Sequence, residues 1–101
     1  MERAIYGITA VRYAGSQVVG AMMGLIDAVH ERWDLRPAPT RIVEVIDRMV
    51  EGDRVISMFP TGEGGFAPGP EIKVDLSPEG AETLTFDDEL QGRSLQDLPR
   101  F

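Results

Sequence analysis

The chain has 101 residues, 43% of them apolar and 27% charged, with a net charge of −7 and no cysteine. That length gives one hydrophobic core and excludes two domains, and the composition excludes wholesale disorder. Without cysteine there is no disulfide, no thiolate nucleophile and no cysteine-built zinc site. The opening Met1-Glu2-Arg3-Ala4 lacks the basic start and apolar centre of a signal peptide, and no apolar run nears the roughly 18 residues of a membrane span, so a cytoplasmic protein is expected.

From the amino end, Ala4 to Tyr13 mixes β-branched and aromatic residues and predicts a first strand. Strict alternation puts Ile5, Val11 and Tyr13 on one face and Tyr6, Ile8 and Ala10 on the other. Ala14-Gly15-Ser16 reads as a turn. The segment Gln17 to Asp27 is open to two readings, because Val18, Met22, Leu25, Ile26, Val29 and Trp33 also fit a helical stripe. Gly20 and Gly24 weaken a helix by about 1 kcal/mol each and tip the expectation to a strand. A short third strand is expected around Trp33 to Arg36, ended by Pro37-Ala38-Pro39.

Thr40 to Gly52 carries the strongest local signal. Ile42, Ile46, Met49 and Val50 fall on one helical stripe, with Val43 and Val45 the other apolar residues of the segment. Pro39 suits a first turn, Thr40 offers a capping hydroxyl, and Gly52 suits a left-handed C-terminal position. A helix of about twelve residues is marginal alone in water, so its stripe must be covered by the flanking strands. Further on, Val55 to Phe59 predicts a strand and Pro60 to Pro70, dense in proline and glycine, predicts a long loop with Phe66 in its middle. Ile72, Val74 and Leu76 alternate with Glu71, Lys73 and Asp75, Ser77 to Gly80 reads as a β-turn, and Glu82 to Phe86 returns as the partner strand. Leu95, Leu98, Pro99 and Phe101 make the tail apolar enough to pack back on the body. The predicted fold class is α+β: an antiparallel sheet of about five strands with one helix, about 40–51, on one face.

Charge is unevenly placed. Residues 1–50 carry six acids and six bases, whereas 51–101 carry eleven acids and four bases. Such a surface repels a phosphate backbone and attracts a basic partner, which disfavours direct nucleic-acid binding.

Three stretches, Ile8-Thr9-Ala10-Val11-Arg12-Tyr13, the helix ending at Gly52 with a strand after it, and Leu95 followed by Leu98-Pro99-Arg100-Phe101, resemble a family of small bacterial and phage-associated domains of unknown function. Its members have a shorter segment between second strand and helix than Gln17 to Pro39. The resemblance implies a compact antiparallel sheet with one helix and brings no reaction and no functional residue with it.

No stretch carries a catalytic signature. His30 is the sole histidine, near Glu31 and Asp34, and reads as an exposed turn residue rather than a base or metal ligand. Asp87-Asp88-Glu89 lacks the spaced ligands and central glycine of a calcium loop. Thr61-Gly62-Glu63-Gly64-Gly65 lacks the lysine and following helix of a phosphate loop, and Glu63 would repel the anion. Ser57 and Ser94 have neither elbow glycines nor a paired base. Trp33 reads as an anchor at the core edge, and Phe66 as an aromatic that inserts into a partner or folds back. No cofactor or metal is expected. The leading expectation is therefore a non-enzymatic protein-interaction module. Its acidic face, Glu71, Asp75, Glu79, Glu82, Asp87, Asp88 and Glu89, together with Phe66, would take a basic partner protein, in the sharpest version as a phage-type inhibitor that mimics phosphates. Two alternatives remain: a small-molecule or enzymatic pocket under the 60–70 loop, and a module that pairs its strand edges with a second copy.

Overall fold

A computed structural model describes residues 4–15, 17–76, 78, 80, 82–86 and 95–101. The elements are β1 (Ile5–Ala14), β2 (Gln17–Asp27), β3 (Arg32–Arg41), α1 (Ile42–Val50), β4 (Arg54–Pro60), β5 (Phe66–Leu76), β6 (Glu82–Phe86) and one 3-10 turn, Leu95–Asp97. They form an α+β domain with a six-stranded sheet in the order β3-β2-β1-β4-β5-β6.

The α+β class and the strand at Gln17–Asp27 are as expected, but the sheet is mixed. β1 and β4 pair in parallel, with Ile5 opposite Arg54 through Ile8 opposite Ser57, while every other neighbouring pair is antiparallel. The reason is connectivity. A helix between two strands carries the chain back across the sheet, so β4 starts at the same end as β3 and runs parallel to it and to β1.

The helix begins at Ile42, two residues later than the caps suggested. Pro39 and Thr40 belong to β3, the Thr40 hydroxyl bonds Ala38 O, and Arg41 at the N-cap makes no side-chain cap. At the other end Gly52 has φ 98°, its N–H donates to Met49 O, and Asp53 N–H donates to Arg48 O at 3.0 Å. That pair of bonds closes the helix in the manner the glycine predicted. Val45 is fully buried, with Ile42, Ile46 and Met49 packed around it, whereas Val50 is 79% exposed. At 100° per residue Val50 lies roughly 90° from the centre of that stripe, on its rim.

Strict alternation fails in β1, because Thr9 is an extra residue in the ladder to β2 between Ile8 and Ala10. The bulge brings Ile8 and Val11 to the same side, both fully buried in the core with Val18, Ala21, Val55, Ile72, Leu84 and Phe86. Ile5 is left on the opposite face. β3 also runs through Pro37 and Pro39 to Arg41 instead of stopping at Arg36. Prolines are tolerated there because β3 is an edge strand with no partner on its outer side among the described residues.

The expected 60–70 loop shrinks to Thr61–Gly65, closed by Thr61 N–H to Gly65 O at 2.9 Å. Phe66, Ala67 and Pro68 already pair with Pro60, Phe59 and Met58. The proline and glycine density marks an irregularity in β5 rather than a loop. A Cβ on Gly69 would overlap Ser57 and Phe59, and the buried Ser57 hydroxyl donates to Pro70 O at 2.8 Å. The tail does pack back: Leu95 and Leu98 are buried, Val11 N–H donates to Pro99 O at 2.8 Å, and Arg100 bridges to Val11 in parallel. Arg12 lies 4.6 Å over the Phe101 ring and Arg100 lies 4.7 Å over the Tyr13 ring. Burial raises the Tyr13 phenol above its ordinary value, with Arg100 opposing the shift.

Candidate functional site

The sheet face away from α1 is built around a pair of cross-strand glycines. Gly7 of β1 stands opposite Gly24 of β2. A Cβ on Gly7 would come within 2.9 Å of Trp33 Cη2, and one on Gly24 within 2.9 Å of Trp33 Cε3. The two glycines therefore leave the space that the indole fills. Trp33 reaches it because Trp33 pairs with Ile26, which pairs with Ile5, so the three side chains share that face.

From the other side β4 and β5 add their own residues. Gly7 is in register with Ile56, and Met58 opposes Pro68 as Pro60 opposes Phe66, so Ile56, Met58, Pro68 and Phe66 project to this face. Phe66 meets Trp33 edge to face, with centroids 5.8 Å apart and planes at 82°. The result is an open groove of about 750 Å³, lined by these apolar residues and rimmed by Ala28, Glu31, Arg32, Gly64 and Gly65. Its walls are half-buried rather than sealed. A groove of this size can seat an apolar side chain or a small ligand with one side left to solvent.

The rim is set by the β2–β3 turn. Asp27 Oδ1 accepts the backbone N–H of Val29 and of His30 at 3.2 Å each, and Asp27 Oδ2 lies 2.7 Å from His30 Nδ1. The His30 side-chain bond, with those amides, holds the Asp27 carboxyl below the usual carboxylate range. Arg32 Nε stands 3.8 Å from the same carboxylate. His30 is exposed, as expected of a turn histidine.

Of the sequence-predicted contact residues, Glu71, Asp75, Glu82 and Phe66 fall among the described residues. Glu71 opposes Ile56 and so lies on the groove face, where it is bound by Arg54 at 2.9 Å. Alternation puts Lys73 and then Asp75 on that side too, with Thr85 and Thr83 opposite them, and Asp75 Oδ1 accepts the Leu76 N–H. Glu82 opposes Leu76 and shares the other face with Leu84 and Phe86. Glu79, Asp87, Asp88, Glu89 and Ser94 lie outside the described residues. Phe66 is the predicted contact residue that the groove incorporates. Ser57 has its hydroxyl committed to Pro70 O, and Thr61–Gly65 is the β4–β5 turn at the groove's edge. Among the described residues no group of three or more His, Asp or Glu side chains is placed to hold a metal ion, and no helix is long and apolar enough to cross a membrane.

Trp33, expected as an anchor at the core edge, anchors this second cluster, apart from the residues packed under α1. The signal was there in Gly7 and Gly24. A tight turn at Gly15, whose φ is 63°, sets Ala14 against Gln17 and so Gly7 against Gly24 by counting back. The chain matches no protein family, no curated protein and no solved structure.

Proposed function

We propose that this domain is a non-enzymatic protein-interaction module that seats an apolar anchor of a basic partner protein in the groove beside the Trp33–Phe66 pair. The observation behind this reading is the apolar face that no helix of the described chain covers, with an aromatic pair at its centre. The net charge of −7 favours a basic partner and disfavours a second copy of this chain, which would bring another −7 to the same contact. Asp75 and the Arg54–Glu71 pair lie on the groove face and give the contact a polar rim. The groove supports this reading better than a phosphate-mimicking acidic array does. Glu71 is ion-paired, Lys73 stands between Glu71 and Asp75, and Glu82 lies on the other face.

Selection from a random peptide library tests the proposal. Peptides recovered on the wild-type domain are expected to pair an aromatic or aliphatic residue with lysine or arginine, and to bind less tightly as salt rises. Recovery of acidic peptides, or of none, contradicts it. The same groove also supports a second reading, a site for a small apolar ligand beside the 60–70 segment. In that case the domain would be stabilised by apolar metabolites and not by selected peptides.

A further inference from the structure

Resting on the groove as the contact surface, we propose that its Trp33 end is a cation site, in which the aromatic corner and the Glu31 carboxylate hold a lysine-type ammonium of the partner. Three observations meet there. The ring planes of Trp33 and Phe66 stand at 82°, edge to face, so the edge-on ring keeps faces that a parallel stack would close and meets its neighbour at a corner. Such a corner attracts a cation through the ring quadrupoles, more strongly where water is partly excluded. An ammonium on a long aliphatic stem also suits the rest of the groove, because Ile26, Ile56 and Met58 can cover the stem while the head meets the rings.

The second observation is the backbone at Glu31. Its φ is 51°, which makes it the single non-glycine residue with positive φ among the described residues. Glycine or asparagine would occupy that conformation with less strain. A glutamate held in that conformation lines the groove at the expense of local stability.

Third, that carboxylate is not engaged. Among the described residues Glu31 has no hydrogen bond and no ion pair, while Arg32, the one base on the rim, stands 3.8 Å from Asp27. Of the two charged residues that line the groove, Arg32 has the Asp27 carboxylate beside it, which leaves Glu31 as the unmatched charge. An anionic guest would be repelled by that carboxylate, and a neutral guest would leave it unmatched.

Trp33 is the chain's sole tryptophan, so its fluorescence reports the corner directly. The full chain is titrated with Nα-acetyl-trimethyllysine amide, with Nα-acetyl-lysine amide, and with the neutral isostere in which carbon replaces the ammonium nitrogen. Both cations should perturb Trp33, the trimethylated one binding about tenfold tighter than its isostere. Glu31→Gln should weaken the cations several-fold and leave the isostere unchanged. Glu31→Asn should do the same while the thermal midpoint holds or rises, which separates lost binding from lost folding. Equal binding of cation and isostere, or no effect of Glu31→Gln, overturns the cation site and leaves the groove as an apolar site. Silence of Trp33 to every probe at millimolar concentration also overturns it, and the peptide selection then decides the groove on its own.

Discussion

On the helix side of the sheet Ile8, Val11, Val45 and Val55 are closed off from water, whereas on the other side Ile5, Ile26, Trp33, Ile56 and Met58 stay half-buried and Phe66 is 39% exposed. The residue types are alike, so apolarity does not account for the difference. Connectivity does. A parallel strand pair needs a crossover, and here the β3–β4 crossover carries the one α-helix of the described residues, which lands on one face. The links within β1–β2–β3 and β4–β5–β6 are only a few residues long. A sheet with one such crossover therefore has a second face that no helix covers among the described residues.

Substitutions on the two faces sharpen this contrast. The largest effect is expected on the covered side. Ile8→Ala should lower stability by about 2 to 5 kcal/mol in denaturant unfolding, because the fully buried site cannot collapse around the loss. A midpoint change near zero would mean that this face is not the core. Next comes the glycine platform. A Cβ on Gly24 would lie 2.5 Å from Leu35 O and 2.8 Å from Pro37 N, which are backbone atoms with little room to yield. Gly24→Ala should cost about 1 to 3 kcal/mol and shift the Trp33 emission. An unchanged emission would separate Trp33 from the glycine pair.

The smallest effect belongs to the β2–β3 turn. The Asp27 carboxyl is depressed chiefly by its bond to the His30 ring, and a depressed carboxyl adds stability above its unfolded pKa of about 4, lost as pH falls through the folded value. The thermal midpoints of wild type and Asp27→Asn should thus differ slightly at neutral pH and converge below about pH 4. A gap that persists in acid would assign the effect to something other than ionisation.

Much of this fold is legible in the chain. The caps at Gly52, the hairpin at Leu76 and Glu82, and the glycines that exclude a helix over Gln17–Asp27 each report their local geometry because the cause is local. The parallel sense of β4 relative to β1 was also within reach, since strand, helix, strand aligns β4 with β3 and two hairpins align β3 with β1. What the pattern could not show is a change of phase. Thr9 is one extra residue in β1, and Val19 is one in β2 between the partners of Arg12 and Tyr13, so the two irregularities cancel along the hairpin. Counting by twos across Thr9 sends Ile8 to the wrong face, although the register at Gly7 and Gly24 survives. Where the acids project is hidden from the sequence for a related reason. Charge summed along the chain does not register that Glu71 and Glu82 project from opposite sides of the sheet, or that Arg54 neutralises one of them.

The central claim is that the helix-free face is the one that binds, and a matched pair of substitutions tests it. Phe66 and Val50 are exposed apolar residues, one on each face. Affinity for a library-selected peptide should fall at least about tenfold in Phe66→Ser, as expected for loss of an aromatic anchor, and stay unchanged in Val50→Ser. Loss in Val50→Ser with Phe66→Ser unaffected would place the contact on the helix side and contradict the account.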